Sequence, residues 1–263
     1  MQQDKQFTSA DRTEGPVNGV SRLAVEVVAR LVARDGIDGS GLRDTLLARL
    51  TEAVIAPDLR LLEAAKAEFR RARVSAAEIA DVYIPEVARR LGQCWDDDQL
   101  SFAAVTLGTA RLQAVLREIG EDWAADSQGP ADGPSLLLLV PAGEQHTLGM
   151  MLMAGRLRRM GVSVCLRIAA DPSAVAKLVS ECAFSGVLIS VSGESRLAAC
   201  SNFIKAIKQS RNGSLLVAIG GAILDDAEEE MRSTGADLVT NDIDHVLQAM
   251  GIVVGKSPVL EPS

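Results

Sequence analysis

The chain has 263 residues, 48% of them hydrophobic, and 35 acidic against 27 basic side chains give it a net charge of −8. That charge argues against DNA or RNA binding by the chain alone, because phosphate contacts need a basic face; it leaves open action on a DNA-binding partner, while 3% aromatics are too few for base-stacking platforms. No apolar run approaches the roughly 20 residues that span a bilayer, and the polar opening MQQDKQFTSADR lacks the apolar core of a signal peptide, so the expected location is the cytoplasm, without membrane contact.

Residues 1–20 are polar, with scattered Gly and Pro and no periodicity, which reads as disorder. From Ser21 the pattern is helical: Leu23, Val27 and Leu31 recur four apart, with Val28 beside them, until Asp35-Gly36. Leu46, Leu47, Leu50 and Val54 mark a second amphipathic stretch from Leu42 to Ile55. Pro57 and Asp58 open a third, running to Arg71. Ser75-Ala76-Ala77-Glu78 has the spacing of a capping box and starts a helix from Ala76 to Trp95. Pro85 inside it should kink or split it. Ser101 caps a further helix from Phe102 to about Trp123. Residues 21–125 therefore read as a helical bundle. The run 126–134 (DSQGPADGP) reads as a linker.

Beyond it the pattern alternates. Strands are expected at Leu136–Val140, Val162–Ile168, Val187–Val191, Leu215–Ile219 and Ala236–Val239. Helices are expected at Thr147–Met160, closed by Gly161, and at Pro172–Phe184, Arg196–Gln209, Asp225–Ser233 and Ile243–Met250. Short continuous apolar strands separated by helices point to a parallel sheet covered on both faces. With right-handed crossovers, residues 135–252 become a flavodoxin-like, doubly wound, five-stranded α/β fold. The tail 253–263 reads as disordered. The four cysteines, Cys94, Cys165, Cys182 and Cys200, show no CxxC spacing and read as small hydrophobes within strands or helices.

Three loops at the carboxyl edge of this sheet have unusual composition. The first holds Glu144-Gln145-His146-Thr147-Leu148-Gly149, and one of the two histidines in the chain. The second follows Ser190-Val191-Ser192-Gly193, and the third follows Gly220-Gly221. That edge is where ligands bind in open α/β sheets. Taken singly, His146 reads equally as a solvated loop histidine, Ser190 and Ser192 as turn or capping residues, and the Gly pair as a turn. Together they suggest that something bulky approaches the backbone, since Gly permits close contact. A phosphorylated receiver would need a carboxylate where Ser190 stands. A flavodoxin would need a Ser/Thr-rich loop where Gly143-Glu144-Gln145-His146 stands. Neither GxGxxG nor GxxxxGK[ST] occurs. A carboxylate two residues before a histidine suits metal ligation: it accepts the Nδ1 proton and leaves Nε2 for the metal. One histidine builds no cage, but a metal in a macrocycle needs only one axial ligand.

Glu144-x-His146-x-x-Gly149, then Ser190-x-Ser192, then Gly220-Gly221 resembles the cobalamin-binding pattern DxHxxG…SxL…GG. Glu144 stands for the usual Asp, and Ser192 for the usual Leu or Thr. The resemblance implies His146 as lower axial cobalt ligand with Glu144 behind it. It implies that Ser190, Ser192, Gly220 and Gly221 line the slot for the nucleotide tail. The stretches Gly92-Gln93-Cys94-Trp95 and Ser101–Thr106 resemble the helical cap of cobalamin photoreceptors and methyltransferases, which places Trp95 over the upper face of the corrin; read alone, Trp95 is a core aromatic. Those photoreceptors carry Glu-His where this chain has Val105-Thr106, so an upper histidine ligand is not expected and methyl transfer is disfavoured.

A cap without Glu-His, and without a preceding DNA-binding region, is similar to the AerR/PpaA group. Membership implies a non-enzymatic cobalamin sensor, holding adenosyl- or hydroxocobalamin. It would act by protein contact on a PpsR/CrtJ-type transcription repressor and give light- or redox-responsive control of photosynthesis genes. A related domain in AppA binds haem, which makes haem the rival cofactor. A corrinoid carrier for methyl transfer and a cofactor-free interaction module are the alternative functions.

Overall fold

The structure is a computed structural model that describes residues 44–120, 133–144, 146–210 and 214–254. The stretch 1–20, the helix expected from Ser21, the helix end near Trp123, and most of 126–134 and 253–263 lie outside the described residues.

The helical half begins with α1 (Asp44–Ile55), whose three- and four-residue spacing turns Leu46, Leu47, Leu50, Ala53 and Val54 inward. The carbonyls that end α1 accept from the Arg111 guanidinium, at 3.0 Å for Val54, with Ala53 and Ala56 sharing it. Helix α2 (Leu59–Arg71) starts at Asp58, whose carboxylate accepts from the Arg60 amide. Ser75 caps a helical turn, Ala76–Glu78, by accepting from the Glu78 amide, as its spacing predicts. A π-helical turn, Ile79–Tyr83, then leads into α3 (Ile84–Asp96). The split falls where Pro85 predicts it. Proline has no N–H to give four residues back, and its ring would press on that carbonyl. The wider turn relieves this, with the Ile84 amide reaching the Ile79 carbonyl. Ser101 caps α4 (Phe102–Ile119) by accepting from the Ala104 amide. Tyr83 is fully buried, edge-on to Phe69 at 4.8 Å between ring centres.

The second half is β1 (Ser135–Pro141), α5 (Leu148–Arg159), β2 (Ser163–Ala170), α6 (Pro172–Glu181), β3 (Gly186–Ser190), α7 (Leu197–Ser210), β4 (Val217–Gly220), α8 (Glu228–Arg232), β5 (Leu238–Val239) and α9 (Ile243–Ala249). All five strands are parallel, in the order β2-β1-β3-β4-β5, which is the expected flavodoxin-like winding. Strand β1 is a continuous apolar run because both of its faces are covered. Leu137 and Leu139 face α6 and α7, where Val175, Val179, Phe203 and Ile204 lie. Leu136, Leu138 and Val140 face α5 and α9, with Met150, Leu157, Val246 and Leu247.

Two details depart from the sequence reading. The helix expected over Asp225–Ser233 is a 3-10 turn (Ala222–Asp225) followed by the short α8. The cause lies across the sheet edge: the Ala222 amide is tied to the Val191 carbonyl, which bends the chain as soon as it leaves β4. Of the cysteines only Cys200 is buried; the other three are half-buried, and Cys182 lies just past the end of α6. Burial, with the nearby Glu144 charge, pushes the Cys200 thiol up to about 12, which keeps it inert near neutrality.

Helix α5 belongs to both halves. Its Met150, Ala154 and Leu157 pack on the sheet, while Leu148 and Leu152 join the core of the helical half beside Val87, Leu112 and Leu116. A salt bridge from Arg159, at its far end, reaches Asp81 in the π-helical turn. The helix that follows the His146 loop is thus clamped beneath α3 and α4. Among the described residues no helix is long and apolar enough to cross a membrane.

Candidate functional site

The strand order reverses between β1 and β3, so the loops that leave their carboxyl ends diverge and open a crevice. Ser190 lies directly beside Gly220 in the β3–β4 register, so the three sequence motifs converge there. Helices α3 and α4 roof the crevice. The result is a cavity of about 350 Å³ between the two halves. Its floor includes His146, Gly149, Ser190, Ser192, Gly220 and Gly221. Its roof includes Gly92, Trp95, Phe102, Val105, Thr106 and Gln113. Of the predicted site residues, only Glu144 does not line it.

Glu144 sits behind the cavity wall, its side chain 3% exposed. One oxygen accepts from the His146 backbone amide at 2.8 Å and faces His146 Nδ1 at 2.9 Å. The other accepts from the Ser192 amide at 3.0 Å and from Ser192 Oγ at 2.6 Å. Ser192 Oγ is also 2.9 Å from His146 Nδ1. Burial opposes the charge, but these bonds from His146 and Ser192 outweigh it and hold the carboxyl at about 2. An ionised carboxylate only accepts, so Nδ1 carries its proton toward Glu144 and Nε2 is the ring nitrogen turned away from it. With Nδ1 turned inward, Nε2 is left to the cavity, and the ring is 31% exposed.

This carboxylate makes stability depend on acid in a defined window. Its pKa is depressed on folding, from 4.5 to about 2. Its contribution is therefore complete above pH 4.5 and lost as pH falls from there through about 2. Denaturant unfolding of the wild type across that window should show a loss of roughly 3 kcal/mol that Glu144→Gln lacks. Parallel pH profiles for the two proteins would contradict it.

The Gly pair works differently from its sequence reading. Both glycines line the cavity, but the close approach that requires them comes from the protein itself. A Cβ on Gly220 would lie 2.5 Å from the Thr240 carbonyl oxygen, and one on Gly221 would lie 1.9 Å from that of Val191. Gly221 also has a φ of +133°. The Gly221 amide donates to Asn241 Oδ1 at 2.7 Å, and its carbonyl accepts from Asn241 Nδ2 at 3.1 Å, so neither group is open to a ligand. Asn241 is a site residue that sequence reasoning missed; its signal was an Asn just before the N-cap Asp242 of α9, beside the expected end of β5. Phe102, 68% exposed at the cavity wall, lies in the Ser101–Thr106 stretch that resembles the cap, but sequence reasoning read it only as the first residue of a helix and not as part of the site.

Trp95 is half-buried and lines the roof, so it is not a core aromatic. Val105 and Thr106 also face the cavity, and His245 is exposed and does not line it. Among the described residues the titratable side chains of the lining are His146 and Asp242. No cluster of three or more His, Cys, Asp or Glu that could hold a metal ion occurs among them. The donor set therefore fits a metal that brings its other ligands with it, and not a bare ion.

No family model matches the chain. Of solved structures, the monomethylamine corrinoid protein of Methanosarcina barkeri superposes with a TM-score of 0.59 at 14% identity, over 79% of this chain and 98% of that one. At that identity it shows a shared fold: a helical half followed by a five-stranded parallel sheet. The chain is 43% identical over 186 residues to an uncharacterized 20.5 kDa protein of Rhodobacter capsulatus from the bchF-crtJ intergenic region, covering 71% of this chain and 97% of that protein. It belongs to the family of that protein.

Proposed function

We propose that the chain is a cobalamin-binding regulator that acts by contact with a DNA-binding repressor of the PpsR/CrtJ type. The observation that carries the reading is the buried, ionised Glu144 that fixes the one imidazole of the cavity with Nε2 outward. His146 would ligate the cobalt, and Glu144 with Ser192 would set its tautomer and ring orientation. Ser190 and the apolar wall of Leu188, Ala218 and Val246 would flank the nucleotide tail, and Trp95 would cover the opposite face. Cobalt would supply a photolabile and redox-active bond to its upper group. The chain's own part is to hold the ring and to pack α3 and α4 over whatever occupies the space.

The solved corrinoid protein and the relative's position beside crtJ support this reading. The net charge of −8 supports action through a partner. A corrinoid carrier for methyl transfer is the rival that the solved neighbour favours, and haem is the rival cofactor.

The test is absorbance of the purified protein loaded in turn with hydroxocobalamin, adenosylcobalamin and haem, followed by repressor and promoter binding. Tight uptake of cobalamin is expected, with no promoter shift by the protein alone and altered repressor binding when light or oxidant changes the bound form. Uptake of haem alone would reject the cofactor. Turnover with a methyl donor protein, and no effect on the repressor, would favour the carrier.

A further inference from the structure

Thr147 follows His146 and holds the N-cap position of α5. A threonine there normally turns its hydroxyl back on the first turn of its own helix. This one does not: its backbone is in the helical region, at φ −96° and ψ −17°, and no side-chain capping bond forms. Its hydroxyl instead accepts from Gln113 Nε2 at 3.0 Å, across 34 residues of sequence. Gln113 lies on α4 and lines the cavity together with His146 and Thr147. The hydroxyl that would secure α5 is given to the roof.

We propose that Gln113 is a positioning residue that couples roof helix α4 to the His146 imidazole through Thr147. The geometry gives the coupling its direction. Glu144 and Ser192 hold the ring from the sheet side through Nδ1. Gln113 holds the next residue from the roof side, so the loop is pinned between the halves. Capture of a metal at Nε2 and the seating of α4 then become one linked equilibrium, and each biases the other. If the bond is removed, the freed hydroxyl turns to its own helix as an ordinary cap. That takes Thr147 out of the helical region and rotates the loop that carries His146. In its binding arm the proposal rests on the corrinoid reading above.

The experiment compares Gln113→Leu, Thr147→Val, the double variant and Thr147→Ser. Two readouts are taken: amide hydrogen exchange without cofactor, and affinity and spectrum with hydroxocobalamin. In the unloaded protein, Gln113→Leu should slow exchange at the Gly149 and Met150 amides about fivefold as the cap forms, while Thr147→Val should not. With hydroxocobalamin, each single variant should weaken binding about tenfold and reduce the imidazole-ligated fraction. The double variant should be no worse than either, and Thr147→Ser should behave as wild type. Unchanged exchange in Gln113→Leu, or additive losses in the double variant, would overturn the coupling. If the wild type took up no cobalamin, the functional reading would fall and the exchange readout would still decide the coupling.

Discussion

Gly221→Ala is expected to unfold the carboxyl edge of the sheet, at a cost above about 4 kcal/mol, which puts it among the most damaging single substitutions. The new Cβ would stand 1.9 Å from the Val191 carbonyl oxygen and 2.7 Å from the Val191 amide nitrogen. Neither atom can retreat. The Val191 amide donates to the Gly220 carbonyl, and the Val191 carbonyl accepts from the Ala222 amide, each at 3.0 Å. The φ of +133° adds strain for any side chain. Relief would break this exchange of backbone bonds and free Asn241 from both bonds to Gly221. Gly193→Ala is the control. It lies in the neighbouring loop in extended backbone, and its Cβ would meet only Ser195 Oγ at 3.9 Å. It should cost less than about 1 kcal/mol. Equilibrium denaturant unfolding of both variants checks the pair, and equal midpoints would refute the steric account.

The features legible in the sequence were those that local chemistry dictates. Continuous apolar runs at Leu136–Val140 and Val187–Val191 announced buried parallel strands, and the right-handed crossover rule applied to five β-α units gave the winding order seen in the sheet. Caps at Ser75 and Ser101 and the break at Pro85 were visible for the same reason. The convergence of Glu144, His146, Ser190 and Ser192 was legible because each stands at the carboxyl end of its strand. What the sequence hid was long-range. Nothing local marks Arg111 as the cap of α1, Asn241 as the tie on Gly221, or Gln113 as the partner of Thr147. Each of these side chains closes a contact across 20 to 57 residues of chain. The same distance effect explains the Gly pair. The sequence showed that close approach was needed there, and only the fold shows that Val191 and Thr240 make it.

His146→Ala should abolish the imidazole-ligated cobalamin spectrum and weaken binding by more than about 100-fold, beyond the 10- to 100-fold loss expected when a residue supporting a metal ligand is removed. His146 is the one imidazole of the cavity, and His245 on α9 is exposed and does not line it. No other described lining residue offers a nitrogen ligand of comparable basicity. The fold should survive. The ring is 31% exposed and lies outside the apolar clusters, so its removal opens no core cavity. Glu144 would lose one side-chain partner and keep the Ser192 hydroxyl and two backbone amides. Free imidazole should then enter the gap and restore the spectrum, because Glu144 and Ser192 remain to take its N–H. Glu144→Gln should give the intermediate result, a ligand that still binds but 10- to 100-fold more weakly, since an amide supports the same ring without the charge. In the loaded and reduced wild type, electron paramagnetic resonance should show coupling to a single imidazole nitrogen, because Val105 and Thr106 give the roof no second imidazole. Coupling to a nitrogen that persists in His146→Ala would place the ligand elsewhere and end the assignment.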